Sequence, residues 1–189
     1  MIDTSAPGGA STGSERVRVA VWDWPVRVVH WSMVLLLVAL VATGLRGGDA
    51  LEWHMRFGQV LLALVLFRIL WGFVGSRNAR FRTFVRGSRA AASYVRSRVR
   101  RAPEVHATHN PIGGWMVIAL LGALLVQAGT GLVTNDDILW DGPLVKHVAK
   151  DTSDALSSFH RRFAWVVVTL AVLHVLAVIA YLVVFRDNL

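Results

Sequence analysis

Four long stretches of this chain are almost free of charge, and they limit what it can fold into more than any other feature. They run over about residues 28–45, 54–74, 112–133 and 160–185. In the first, the only polar side chains besides the Trp31 indole are His30, Ser32 and Thr43. Arg56 and Arg68 interrupt the second, Gln127 lies inside the third, and residues 163–185 carry no formal charge. Eighteen helical residues rise ~27 Å, close to the ~30 Å hydrocarbon core of a bilayer. A soluble domain of 189 residues has no need for four nearly all-apolar helices. The chain is therefore expected to be all-α: an integral membrane four-helix bundle, up-down-up-down. The first run is too long for a signal-peptide core, and no A-x-A cleavage site follows it, so it reads as a retained span. Residues 1–20, rich in Gly, Ser, Thr and Ala, read as a flexible tail, and residues 21–189 as the bundle domain.

The charge is distributed unevenly. The net charge is +8, yet nine arginines fall between residues 75 and 111, with Glu104 the only acid there. Residues 134–157 instead hold five aspartates and two lysines. The positive-inside rule makes the Arg-rich loop cytoplasmic, and four spans then place both termini in the cytoplasm. The expected location is a bacterial inner membrane. The arginines act as a topology signal that also meets anionic lipid, and residues 81–99 are expected to form an amphipathic surface helix. Nucleic acid is not an expected partner. The eight tryptophans lie mainly near span ends, as interfacial aromatic belts do.

The histidines carry the chemistry. Ionisable groups inside a bilayer are costly and usually functional. His30 lies near the cytoplasmic end of the first span. His54 opens the second span, and His160 the fourth, on the opposite side. His174 follows His160 by fourteen residues. That spacing returns to within ~40° of the same face, ~21 Å further along the axis. The fourth span thus offers two ligands at two depths, with His54 matching the outer one and His30 the inner one. Two facing His–His pairs suit two six-coordinate haem b irons. The chain has no cysteine, which excludes disulfides, thiolate metal sites, iron–sulfur clusters and covalent C-x-x-C-H haem attachment. Histidine coordination must then hold any haem.

Arg68 follows His54 by the same fourteen residues and is a candidate partner for a propionate of the inner haem. Arg56, Arg161 and Arg162 lie beside the outer ligands and are candidates there. His109 is a weaker candidate for a propionate contact at the inner surface. His106 and His147 read as solvated loop residues. Glycines 44, 58, 72, 122, 129 and 131 let helices or a flat porphyrin approach closely.

The motifs VWDWPVRVVHW with His30, WHMRFGQ with His54, HNPIGGW, and FHRRFAWVVVTLAVLHV with His160 and His174 resemble the bacterial cytochrome b561 family. That family includes the cytochrome b subunits of nickel-iron hydrogenases, and the resemblance covers about residues 20–187. It implies a four-helix membrane protein with two haems b. The inner haem would be ligated by His30 and His174, the outer by His54 and His160. Such proteins pass electrons between quinone and a redox partner in respiratory electron transport. One alternative is a membrane-anchor subunit of a larger hydrogenase or dehydrogenase. A periplasmic cytochrome c or dehydrogenase would then dock on the acidic 134–157 side. A second alternative is a haem-free proton-coupled transporter or membrane anchor, with the histidines as proton relays.

Overall fold

The computed structural model describes residues 23–84 and 111–183. Residues 1–20, most of the Arg-rich loop, the expected surface helix beyond Phe84, His106 and His109 lie outside the described residues. Among the described residues the chain is helical and forms no β-strand. Its elements are α1 (Trp24–Arg46), α2 (Ala50–Val74), a single turn α3 (Phe81–Phe84), α4 (Pro111–Gly131) and α5 (Lys150–Val183). Four helices, α1, α2, α4 and α5, are long and apolar enough to cross a membrane.

The start of α1 is fixed locally. The Asp23 carboxylate accepts from Val26 N at 3.1 Å, and Pro25 follows in the first turn, where its missing N–H costs nothing. Asp23 also reaches across the fold. It accepts from Trp71 Nε1 at 3.0 Å and from the Ser76 hydroxyl, tying the start of α1 to the end of α2. Burial pushes the Asp23 carboxyl up, but the donors Ser76, Trp71 and Val26, with the charge of Arg68, together hold it below its usual value. At its other end α1 stops at Gly47, whose φ of 65° is followed by Gly48 at 56°. These two left-handed residues turn the chain into α2 after only three residues.

The apolar surface points mostly outward. Leu35, Val38, Leu70 and Val74 are exposed, and only 6% of the most apolar window of α5 is buried. Lipid tails suit such side chains as well as protein does. The buried core is small: Leu40, Leu61, Val65, Leu121, Ala123, Leu124 and Val167.

Helix α5 begins at Lys150, well ahead of the apolar run. Its first ten residues are mostly polar, and Lys150, Ser153, Asp154 and Ser157 contact the loop that follows α4. Ser153 and Ser157 are buried there. Asn135 donates to both serine hydroxyls, and Ser153 Oγ donates to Val133 O at 2.7 Å. In that loop the Asp136 carboxylate accepts from the backbone N–H groups of Trp140, Leu139 and Ile138, which holds its pKa down. Lys150 bridges Asp137 and Asp154.

Candidate functional site

Four histidines from three helices meet as two pairs. The His30 and His174 rings have centroids 6.4 Å apart, with planes at 67°. The His54 and His160 rings stand 6.1 Å apart at 86°. A metal–imidazole bond is ~2 Å and each nitrogen lies ~1 Å from its ring centre, so two rings that would hold one metal ion between them have centroids ~6 Å apart. Both pairs have that separation, and it is longer than a direct hydrogen bond between rings allows. The residues present therefore fit haem held by axial histidines.

The two pairs differ in their surroundings. His30 meets Trp31 edge-on at 5.5 Å. Among the described residues, no hydrogen bond reaches the His174 ring. The other two rings are gripped. His54 Nδ1 lies 3.0 Å from Leu40 O, and His160 Nδ1 lies 3.0 Å from Gln127 O. A carbonyl only accepts, so both Nδ1 atoms carry the proton. That leaves each Nε2 lone pair for a metal. For His160 the Gln127 side-chain nitrogen donates to that lone pair at 3.1 Å, which reports the same tautomer, and the amide would have to turn aside for a metal to bind there.

A hydroxyl and a glycine accompany each carbonyl. Thr43 Oγ1 is 3.4 Å from His54 Nδ1, and Thr130 Oγ1 is 3.2 Å from His160 Nδ1. A Cβ on Gly44 would sit 3.1 Å from His54 Cε1, and one on Gly131 would sit 3.0 Å from His160 Cε1. Neither threonine stood out in the sequence as a site residue. The signal that would have found them is a repeat: Thr43-Gly44-Leu45 matches Thr130-Gly131-Leu132, and His54-Met55-Arg56-Phe57 matches His160-Arg161-Arg162-Phe163.

The candidate propionate partners are placed differently. Arg68 is buried, its guanidinium lies 5.3 Å from the Phe81 ring, and among the described residues its Nη1 has no hydrogen-bond partner. A buried cation with an orphaned donor suits an anionic group of a bound cofactor. It lies toward the Asp23 and Ser76 end of the bundle, the end that His30 occupies. Arg56 is exposed, pairs with Glu52 and stacks on Trp53. Arg161 is exposed, while Arg162 donates to Ser158. His147 is exposed in the loop ahead of α5.

Comparison with known proteins identifies the family. Three relatives are described as probable Ni/Fe-hydrogenase B-type cytochrome subunits. The one from Bradyrhizobium diazoefficiens is 24% identical, over 100% of this chain and 88% of its own length. Those from Azotobacter vinelandii (27%; 94% and 88%) and Rhodobacter capsulatus (25%; 92% and 79%) are similar. No solved structure matches. The sequence profile of prokaryotic cytochrome b561 matches residues 21–189, so the chain belongs to the prokaryotic cytochrome b561 family, a family of b-type membrane cytochromes.

Proposed function

We propose that this protein carries electrons across a bacterial inner membrane between the quinone pool and a redox partner. Two haems b are held by the pairs His30–His174 and His54–His160. When bound, haem b supplies a one-electron carrier at each depth, and no protein side chain makes or breaks bonds. The chain's own work is ligation, burial and charge placement. The observation that carries this reading is the pair of ring separations, 6.4 Å and 6.1 Å, on helices set at two depths.

The positive-inside rule, applied to the Arg-rich 75–111 loop, puts the His30–His174 pair and both termini on the cytoplasmic side. The His54–His160 pair is then the outer one. Arg68 neutralises a propionate at the inner site. Arg56 and Arg161 stand near the outer ligands, where Arg56 must leave Glu52 to do the same; His109 is the remaining inner candidate. The relatives favour service as the membrane cytochrome subunit of a larger oxidoreductase of the hydrogenase type. Its catalytic partner, or a periplasmic cytochrome c or dehydrogenase, would dock on the acidic face formed by residues 134–157.

The test is a reduced-minus-oxidised optical spectrum with haem quantitation on the purified, detergent-solubilised chain. Two haems b per chain are expected. No haem b in any preparation overturns the reading, and one haem per chain overturns the two-site form.

A further inference from the structure

We propose that Thr43-Gly44 and Thr130-Gly131 form twin cradles that lock the tautomer and direction of His54 and His160, and so set the redox balance of the haem between them. This rests on the haem reading above and adds two positioning threonines that the ligand set does not contain.

Each cradle has the same three parts in the same order. A helical carbonyl stands first, at Leu40 or Gln127. Its helical bond uses one lone pair and leaves the second for the imidazole. Four residues on comes the glycine. Its N–H is the helical partner of that carbonyl, and a side chain there would cover the approach. With no Cβ at Gly44 or Gly131, the ring lies directly against the helix. Between them, three residues after the carbonyl, comes the threonine. Thr43 Oγ1 donates to Ala39 O at 2.7 Å with Leu40 O at 3.3 Å, and Thr130 Oγ1 donates to Val126 O at 2.9 Å with Gln127 O at 3.0 Å, so the hydroxyl and the histidine share the cradle carbonyl. Each hydroxyl proton is thus committed to the helix, and the oxygen can only accept from the histidine. The Nδ1–H proton is shared between a carbonyl at 3.0 Å and a hydroxyl at 3.4 Å for His54. For His160 the corresponding distances are 3.0 Å and 3.2 Å.

The twofold occurrence is the strongest part of the case. The α1–α2 and α4–α5 connections differ in length and sequence, yet each ends by seating a histidine on the same carbonyl, threonine and glycine. Acceptors at Nδ1 make an imidazole a stronger ligand and favour the more highly charged ferric state. Removing the hydroxyl therefore raises the midpoint of this haem and leaves the His30–His174 haem unchanged.

The experiment is a potentiometric titration, followed optically, of the full chain and of T43V, T130V, T43S and T130S, with the haem count taken on each. In T43V and T130V one of the two midpoints rises, by an equilibrium shift of about tenfold or ~59 mV for a one-electron couple. T43S and T130S restore it. Loss of one haem in a valine variant, with retention in its serine counterpart, supports the same assignment. Unchanged midpoints in both valine variants overturn it, as do equal shifts of both haems or serine variants that behave like valine. Two haems in the unsubstituted chain with no response to T43V or T130V leaves the haem reading standing and removes only the cradles. No haem in the unsubstituted chain removes both.

Discussion

The two histidine pairs have nearly equal separations and unequal support. His54 and His160 are held by backbone carbonyls and threonines of the neighbouring helix, near the ends where α1 and α4 turn. His30 and His174 lie toward the Asp23 end, where His30 meets Trp31 and Arg68 brings a buried cation. The His54 and His160 rings are each held by a carbonyl and a threonine, while the His30 end is marked by Trp31 and the buried Arg68. If both pairs hold haem as proposed, equal ligation need not give equal redox centres. Two haems on one bundle can be tuned apart without changing a ligand.

Removing ligands tests this contrast most strongly. His174→Ala is expected to lose the His30–His174 haem and keep the other. His54→Ala or His160→Ala is expected to do the reverse. Haem-to-protein ratios and spectra of each variant check this, and loss of both haems from either single change would contradict two separate sites.

The cradle glycines give a smaller effect confined to one site. A Cβ at Gly131 meets the His160 ring at 3.0 Å, whereas at Gly129 nothing lies within 4 Å. Gly131→Ala and Gly44→Ala should each weaken haem retention at that site about tenfold, and Gly129→Ala should not. The rate of haem transfer to a haem-free acceptor protein measures it. Similar loss in all three variants would reduce the effect to ordinary helix packing.

Arg68→Gln probes the other pair. Removing a cation disfavours adding an electron, so the midpoint of the His30–His174 haem should fall, by a shift on the order of threefold in equilibrium. The same redox titration reads it, and a fall at the other haem instead would misplace Arg68.

The smallest effect concerns the fold beneath that end. Asp23→Ala removes an N-cap and the bonds from Trp71 and Ser76, and should cost about 1 kcal/mol in thermal unfolding in detergent at neutral pH. The folded carboxyl titrates below its ordinary value of 3.8. Its contribution is therefore fully present above that value and is lost as pH falls through the folded pKa. The stability difference between the unsubstituted chain and the Asp23→Ala variant should shrink only in that acid range.

Much of this was legible in the chain itself. The four spans follow from the length and polarity of the apolar runs, since a bilayer leaves the backbone no choice but a helix or a closed barrel. The two depths at which α5 carries a histidine follow from the fourteen residues between His160 and His174, because helical rise and turn are fixed. The family follows from motifs around those histidines, and it matches residues 21–189. The start of α5 was not legible from hydropathy, because its first turns bury serines against a loop rather than apolar groups against lipid. Nor was the support of the His54–His160 pair. Leu40 and His54 are fourteen residues apart, and Gln127 and His160 thirty-three, on different helices. The acceptor in each case is a carbonyl that every residue possesses, so no residue type announces it. The number of membrane-length helices and the positions of the histidines along them were thus written in the chain, because they depend on local composition and helical period. Which rings face each other, which carbonyls receive their protons and that Arg68 is buried with a donor unpaired among the described residues emerged only from the folded bundle, because these depend on how separate helices pack.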